Sequence, residues 1–383
     1  MSNKHPAAGH EDHVIASSSY APPRAPSLLI SADKKWIAVS QMQKAIRRAE
    51  PQIAVEWAHS LWHADRSYGL FRMGVIAAEE VAGANPALAR GFLQSEIKRE
   101  WFDERGGFNS FAYFVDAFAR SAKDRTSCDL ASTASLSHLQ GVAAARGELD
   151  YAALRAVAED VAKPTPARVS ALWLLAGTKK SPNPQLGPER HGRLIHFLGA
   201  CHSICPDADL LACIDLSLRL NTEPNPIALA LCRAAQQEAI ASTSLSVPSN
   251  AVGYGLSCAV DAHTREGREA IELLLASSPL AKDICRPMTS KADKSKLLGS
   301  IFFRLEGHEV SPRLSYALSE KAHAWHRRRL ARLAERPEEQ LFQEALSLLP
   351  ALDALRMEAA PWAFSTTASN MAPAPAAAMA QNR

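Results

Sequence analysis

The strongest constraint on the fold is a series of helix signals that follow one another with short breaks over residues 34–88. The first predicted helix spans residues 34–49. Pro51 then suits the first turn of a second helix, where its missing N–H costs nothing. A third helix is predicted over residues 68–81 and ends at Gly83. The apolar residues of the second helix recur at the spacing of one helical face: Ile53, Ala54, Trp57, Ala58 and Leu61.

Composition extends the helical prediction to the rest of the chain. Hydrophobic residues make up 47% of the sequence, within the globular range. Alanine and leucine dominate, and both lose little conformational freedom in a helix. No run alternates with the period of two that a strand requires. We therefore predict an all-α protein, either a multi-helical bundle or an irregular helical array. Further helices are expected at 87–101, 110–123, 127–146, 149–162, 165–177, 188–203, 207–220, 226–242 and 338–357, with another that begins near Arg265.

The chain divides into four predicted parts. Residues 1–32 and 359–383 are rich in small and polar residues and lack periodicity, so we expect a disordered leader and a disordered tail. The 383 residues are enough for two ordinary domains. Helical domains are predicted at 33–145 and 146–358, joined by a glycine-containing link, and a softer boundary is expected near residue 245.

Cysteine usage and hydropathy indicate where the protein works. The seven cysteines are scattered, mostly within apolar patterns, and favour buried reduced thiols over a disulfide framework. No stretch approaches the roughly 18 uninterrupted apolar residues of a membrane helix, and the N-terminus is polar. These features predict a soluble, cytoplasmic protein that does not contact a membrane.

Charge is concentrated in one segment. The chain has a net charge of +3, but residues 286–336 hold twelve Lys and Arg against five Asp and Glu. A basic helix is predicted at 312–336, opened by Ser311 as its cap and Pro312 in its first turn. Its predicted nucleic-acid-binding residues are Lys321, Arg327, Arg328, Arg329, Arg332 and Arg336.

Guanidinium groups suit phosphate recognition, and several such contacts would give salt-sensitive binding without sequence preference. His323 and His326 would add positive charge at lower pH. The alternatives for this helix are a solvated face, an arginine-rich subunit interface or a contact with an acidic protein.

Three further sets of residues have weaker functional interpretations. The first set mixes aromatic and basic residues. Its aromatic rings would stack on single-stranded bases, or else they form core. The set comprises Lys98, Arg99, Trp101, Phe102, Arg105, Phe108, Phe111, Tyr113 and Phe114. Zinc-type ligands at a non-standard spacing are His191, His196, Cys201, His202 and Cys205. A polar run that would provide a base near Cys258, or else a helix cap at Thr264, comprises Asp261, His263, Thr264, Arg265, Glu266 and Arg268.

Three stretches carry a family resemblance: KAIRRAEPQIAVEWAHSL, FRMGVIAAEEVAGANPALAR and FARSAKDRTSCDL. Together they cover about residues 35–130. They resemble the helical, collar-like C-terminal domain of the replication-associated recombination protein A family of clamp-loader-like ATPases (MgsA/WRNIP type). The family's pattern falls on Lys44, Arg47, Trp57, Arg72, Glu79, Gly83, Ala84, Pro86, Ala122 and Lys123.

In that family the domain builds the collar through which subunits oligomerise. The resemblance therefore implies self-association or docking to a replication-type assembly, with the interface on Lys44, Arg47, Trp57, Arg72 and Glu79.

The chain also departs from the family's pattern. Ala49 stands where the family has glycine, Glu80 stands where it has aspartate, and an alanine is inserted after Val81. Residues 71–73 read Phe-Arg-Met instead of Arg-Arg-Leu. The sequence has no G-x-x-x-x-G-K-[ST] loop, so the resemblance does not imply ATP hydrolysis.

Together these observations predict a non-enzymatic accessory or scaffold protein of DNA metabolism, in replication or recombination. It would oligomerise or dock through residues 33–145 and contact DNA through the basic helix. A helical protein–protein interaction module without a nucleic-acid role is one alternative, and a metal- or His-dependent enzyme is the other. No cofactor, metal ion or catalytic residue is assigned.

Overall fold

The computed structural model describes residues 28–97, 100–139, 150–205, 207–219 and 255–364, with short pieces at 13, 16–17, 19–22, 231, 240–242 and 251–252. Helices dominate these residues, which confirms the all-α class. The α-helices in this part of the chain are α1 (Lys35–Arg47), α2 (Pro51–Ile76), α3 (Pro86–Ile97), α4 (Glu100–Glu104), α5 (Phe108–Arg120), α6 (Thr126–Ala131), α7 (Tyr151–Glu159), α8 (Thr165–Ala176), α9 (Leu194–Ile204), α10 (Ala208–Arg219), α11 (Arg265–Ser277), α12 (Pro279–Ile284), α13 (Lys291–Phe302), α14 (Ala317–Leu333) and α15 (Glu338–Ala359).

The second and third predicted helices form one element with a kink. Asp65 has non-helical dihedrals (φ −163°, ψ 82°) inside α2. Its carboxylate accepts the backbone N–H of Tyr68 at 3.1 Å, as an N-cap does at the start of a new helix. A π-helical turn (Ala77–Val81) follows α2, and a second one (Phe303–Gly307) follows α13. The first π turn places two consecutive glutamates beside the pocket described below.

The described residues also form several 3₁₀ turns and two short antiparallel strand pairs. β1 (Ile240–Ser242) pairs with β4 (Arg313–Ser315), and β2 (Ala251–Val252) pairs with β3 (Gly255–Leu256). The predicted basic helix therefore starts later than expected, because residues 313–315 form a strand and α14 begins only after Tyr316. The predicted helix at 226–242 lies mostly outside the described residues, and its last three residues form β1 instead.

The described hydrophobic residues form two cores. The first contains residues from 28 to 260 together with a few from 316 to 364, and the second is built from residues 270–352. The predicted domain boundary near 145 lies outside the described residues. However, Leu139 and Leu154 on either side of it belong to the same core. The division between cores thus falls near residue 260, because the helices of 151–219 pack onto the N-terminal helices.

Buried polar contacts join the two cores. Arg48 donates to the carbonyl oxygen of Glu306 at 3.0 Å, and the backbone N–H of Ser311 donates to the carbonyl oxygen of Arg47 at 2.6 Å. Arg356 of α15 pairs with the Glu306 carboxylate at 2.9 Å. The end of α1 is thereby tied to the second π turn.

Parts of the predicted leader and tail belong to the core. Leu28 is buried, and its carbonyl oxygen accepts the Ser60 hydroxyl at 2.7 Å. Phe364 is buried too, and Trp362 packs edge-on against Trp57 with a centroid distance of 6.3 Å. Residues 365–383 and most of 1–27 lie outside the described residues. In the part of the chain that the structure describes, no helix is long and apolar enough to cross a membrane.

Candidate functional site

The candidate site is a pocket of about 460 Å³ between α1, α2 and the start of α6. The N-terminus of α11 and the second π turn close it on the other side. Its walls combine cations, aromatic rings and one carboxylate. The lining residues are Trp36, Val39, Ser40, Gln43, Lys44, Arg47, Tyr68, Arg72, Glu79, Arg125, Cys128, Ala131, His263, Thr264 and Phe303.

Helix α1 supplies most of one wall because its polar residues recur at helical spacing. Trp36, Ser40, Gln43, Lys44 and Arg47 are four, three, one and three residues apart and so share a face. The opposite, apolar face of α1 packs into the first core. The helix therefore stands between the core and the pocket.

Glu80 anchors the base of the site. It is completely buried in the first π turn, and its Oε1 atom lies 2.6 Å from Nη2 of Arg47 and 2.7 Å from Nη1 of Arg125. Gln43 also donates to this oxygen, at 3.0 Å. Burial would raise the pKa of the Glu80 carboxyl, but Arg125 and Arg47 outweigh it and lower that pKa below its usual value. One carboxylate thus holds two guanidinium groups in place.

Lys44 forms the second buried ion pair. Its ammonium group lies 2.6 Å from Oδ2 of Asp261, and both side chains are less than 5% exposed. Burial lowers the pKa of Lys44, and the attraction of Asp261 opposes that shift. Burial would raise the pKa of Asp261, but Lys44 lowers it overall. The ring of Phe303 covers the ammonium at 5.6 Å.

Two arginines that line the pocket, Arg72 and Arg125, each have an N–H donor without an acceptor among the described residues. Arg72 donates to the Gln43 side-chain oxygen at 3.4 Å and makes no ion pair with any residue in the described ranges. The Nε atoms of both arginines are buried without an acceptor among these residues. Glu79 lies 3.5 Å from Arg125 and is 14% exposed. Buried donors without acceptors favour an anionic ligand.

Aromatic rings form the mouth of the pocket. Trp36 is 58% exposed, and its ring packs edge-on against Tyr68 with a centroid distance of 5.2 Å. A second cavity of about 540 Å³ shares Trp36 and His263 with the first. Its other lining residues are Asp33, Lys34, Ile37, Arg265, Glu266, Arg268 and Trp362. The two adjoining cavities are called the basic groove from here on.

Only some of the cations of the predicted basic helix are exposed to solvent. Lys321, Arg328 and Arg332 of α14 are exposed. Arg327 pairs with Glu338 at 2.7 Å and stacks over Phe342, while Arg329 donates to the Ser132 carbonyl oxygen at 3.0 Å. Arg336 pairs with Glu344 at 3.0 Å and with Asp283. Helix α14 ends at Leu333, earlier than predicted, so Arg336 lies beyond it. Half of the predicted nucleic-acid-binding residues therefore make contacts within the fold.

The two histidines of this helix face inwards. His323 accepts a hydrogen bond from Arg304 at 2.6 Å through Nδ1, and His326 lies 3.9 Å from the Asp129 carboxylate. Burial and the charge of Arg304 lower the pKa of His323 to about 3 and that of His326 to about 4. Both rings therefore stay neutral until the pH falls to about 4, so they do not supply the positive charge predicted at lower pH.

The predicted interface residues separate into two groups. Lys44, Arg47, Arg72 and Glu79 line the pocket. Trp57 is completely buried in the first core against Trp362, so it contributes to packing and does not reach a surface of this fold.

The aromatic candidates form core. Phe102, Phe111 and Phe114 are fully buried and pack against Phe92, so their faces are not open to stack bases. Lys98 and Arg99 lie outside the described residues.

The zinc-type residues do not converge. His191 lies near Lys179, His196 stacks on Tyr151, and Cys201 and Cys205 are buried. Burial raises the pKa of Cys201 to about 12. Within the described ranges, no group of three or more His, Cys, Asp and Glu side chains is placed to hold a metal ion.

The polar run at the start of α11 forms a helix cap, which confirms the structural one of its two predicted roles. Thr264 caps α11, its hydroxyl accepting the backbone N–H of Gly267 at 3.0 Å. Asp261 accepts the backbone N–H of His263 at 2.9 Å, and its other oxygen faces Lys44, so it does not orient the His263 ring as an acid–base pair would. Cys258 is buried, and burial raises the pKa of its thiol.

Sequence reasoning missed much of the groove. It gives no functional role to Trp36, Tyr68, Arg125 or Phe303, which come from four separate elements. The usable signal is the polar stripe of α1 opposite an apolar stripe, since a helix with two distinct faces has two different neighbours.

Comparison of the chain with protein-family models, curated proteins and solved structures finds no match.

Proposed function

We propose that the chain is a non-enzymatic accessory or scaffold protein of DNA metabolism that binds single-stranded nucleic acid in the basic groove. The observation that supports this most is the lining of the groove: seven lysines and arginines, three carboxylates and four aromatic rings. Cations neutralise phosphates whatever the sequence, and aromatic rings stack on the faces of unpaired bases. Such a combination suits a single strand better than a duplex, whose bases are already stacked.

The exposed cations of α14 are a proposed second contact. Lys321, Arg328 and Arg332 are spaced seven and four residues apart and so share one helical face. A row of this kind would contact successive phosphates without reading sequence. Oligomerisation or docking through the N-terminal helices remains a proposal that rests on the family resemblance.

Binding of labelled single-stranded and duplex oligonucleotides, followed by fluorescence anisotropy across a salt series, tests the proposal. Affinity for the single strand is expected to fall steeply between about 50 and 200 mM salt. The double variant R265Q/R268Q, altered only at exposed groove residues, is expected to bind more weakly and with a shallower salt slope, by about one unit for each phosphate that is no longer neutralised. R286Q, which removes an exposed arginine outside the groove, is the matched control.

The results for these variants show whether nucleic acid contacts the basic groove or α14. Loss of binding in K321Q/R328Q/R332Q with R265Q/R268Q unaffected would move the contact to α14 and contradict the groove. Absence of binding at low salt would contradict the nucleic-acid role altogether and favour the protein-interaction alternative.

Trp36 provides a second test of the same surface. W36A removes the exposed ring at the junction of the two cavities and is expected to weaken single-strand binding about 5- to 150-fold, the range for the removal of one base stack. W36F keeps an aromatic face and should retain most of the affinity. If W36A binds like the unaltered protein in the same anisotropy assay, bases do not stack at this position.

A further inference from the structure

We propose that the 460 Å³ cavity of the basic groove is a receptor for a terminal phosphate monoester of a nucleotide, whose base stacks on Trp36. This inference rests on the proposed function, since it specifies which part of a strand enters the groove. The shared ligand chemistry is a nucleoside monophosphate unit, which either a free nucleotide or the phosphorylated end of a strand provides.

Three of the cations that line this cavity are recessed. The side chains of Lys44, Arg47 and Arg125 line it although each is no more than 6% exposed. A phosphate inside a strand carries a sugar on both sides, and these hold it at the rim of a cavity. A terminal phosphate has three free oxygens and only one attached sugar, so it can reach cations below the surface.

The charge balance of this cavity favours an added anion. Its four cations are accompanied by three carboxylates in direct contact with them, those of Glu79, Glu80 and Asp261. One positive charge remains, and Arg72 makes no ion pair with any residue in the described part of the chain. A monoester carries more negative charge near neutral pH than a diester does, because its second pKa is about 6.

Two buried donors lack acceptors at the same place. The Nε atom of Arg125, on a side chain that is only 6% exposed, and the Nε atom of Arg72 have no partner among the described residues. Guanidinium groups bind phosphate oxygens through paired N–H donors. Because these Nε atoms have almost no exposed surface, an entering phosphate would first meet the terminal N–H groups of the two arginines.

The size and mouth of the cavity fit the rest of the nucleotide. Its volume of about 460 Å³ lies within the range of small-ligand sites, roughly 300–1,000 Å³. Trp36 and Tyr68 stand at the entrance with the Trp36 ring largely exposed. The second cavity continues from Trp36, so a strand whose end is bound can leave along Arg265 and Arg268.

The test compares oligonucleotides that differ only in a terminal phosphate. One sequence, labelled on an internal base, is prepared with a phosphate at the 5′ end, at the 3′ end or at neither end, and binding to the full chain is measured by anisotropy. Adenosine monophosphate and inorganic phosphate are added as competitors. The variant is R72Q, because Arg72 is partly exposed and makes no ion pair with a described residue, so its loss should leave folding intact by circular dichroism. R286Q is the control.

One phosphorylated strand is expected to bind at least about tenfold tighter than the unphosphorylated strand, the effect of one added charge-assisted contact. This preference should vanish in R72Q and persist in R286Q. Competition by the mononucleotide would identify a free nucleotide as an equally good source of the ligand, and preference for the strand end would favour the strand. Equal salt-sensitive affinity for all three strands would overturn this inference and leave the proposed function standing. If none of the strands binds and the mononucleotide does not bind either, both this inference and the proposed function are contradicted.

Discussion

At the scale of single residues, Glu80 is the side chain whose change should cost most stability, because it neutralises two buried arginines at once. E80Q would leave Arg47 and Arg125 next to an uncharged amide in a buried site. Removing one partner from a buried ion pair costs roughly 3–5 kcal/mol. We expect a loss of that order in the free energy of unfolding, measured by urea denaturation with circular dichroism. E79Q, at a partly exposed position with a 3.5 Å contact, should lose far less. Equal losses in the two variants would show that Arg47 and Arg125 do not depend on Glu80.

The sequence could point to this region but not to this residue. The family resemblance singles out Arg47 and Glu79, whereas Glu80 stands out only as a departure from it. The π turn Ala77–Val81 adds a residue to the helical repeat. Spacing rules for a regular helix cannot tell which of two adjacent glutamates then faces inwards.

At the scale of elements, the N-terminus of α11 depends on one hydroxyl. Thr264 accepts the N–H of Gly267 and also donates to the carbonyl oxygen of Asp261 at 2.9 Å. T264A is expected to lower the free energy of unfolding by about 1 kcal/mol, the usual cost of losing an N-cap. T264S keeps the hydroxyl and should stay close to the unaltered protein in urea denaturation. A T264A protein as stable as T264S would mean that the cap is dispensable here.

The sequence predicted correctly those helices whose start, end and apolar face are determined by residues of the helix itself. The Thr264 cap, the start of α2 at Pro51 and the extent of α8 and α15 follow from caps, prolines and apolar spacing. The strand at 313–315 could not be predicted in this way, because its partner lies some 70 residues earlier in the sequence. The pairing satisfies backbone groups that a longer α14 would have satisfied internally, and only the tertiary fold decides between the two.

At the scale of the whole molecule, the cores meet across charged groups that composition could not reveal. The predicted boundary near 145 followed a glycine-containing link, yet helices on both sides of it share one core. The groove lies where the two cores face each other, with Lys44 and Arg47 from one side and Asp261 and Phe303 from the other. Neither half of the chain contains the site alone, so a sequence read segment by segment could find its parts but not their meeting point.

A histidine cluster at this junction should make the stability of the molecule fall in mild acid. Arg304 of the second π turn pairs with Asp129 of α6 at 2.5 Å, and His308, His323 and His326 lie around them. Burial together with Arg304 lowers the pKa of all three histidines, that of His308 well below its usual value. The native protein therefore keeps them neutral, whereas the unfolded chain protonates them below about pH 6.5.

Because the unfolded state binds more protons in this range, the free energy of unfolding should decrease as the pH falls from about 6.5 to about 4. The slope can reach about 1.4 kcal/mol per pH unit for each histidine, and it ends as the pH passes the native pKa of each ring. Urea denaturation at a series of pH values measures it. H326Q removes one of the three titrating rings of this cluster, at a side chain that is 24% exposed, so its slope should be smaller by the contribution of that ring. A stability that does not change between pH 7 and pH 5 would mean that these rings bind protons equally in the native and unfolded states.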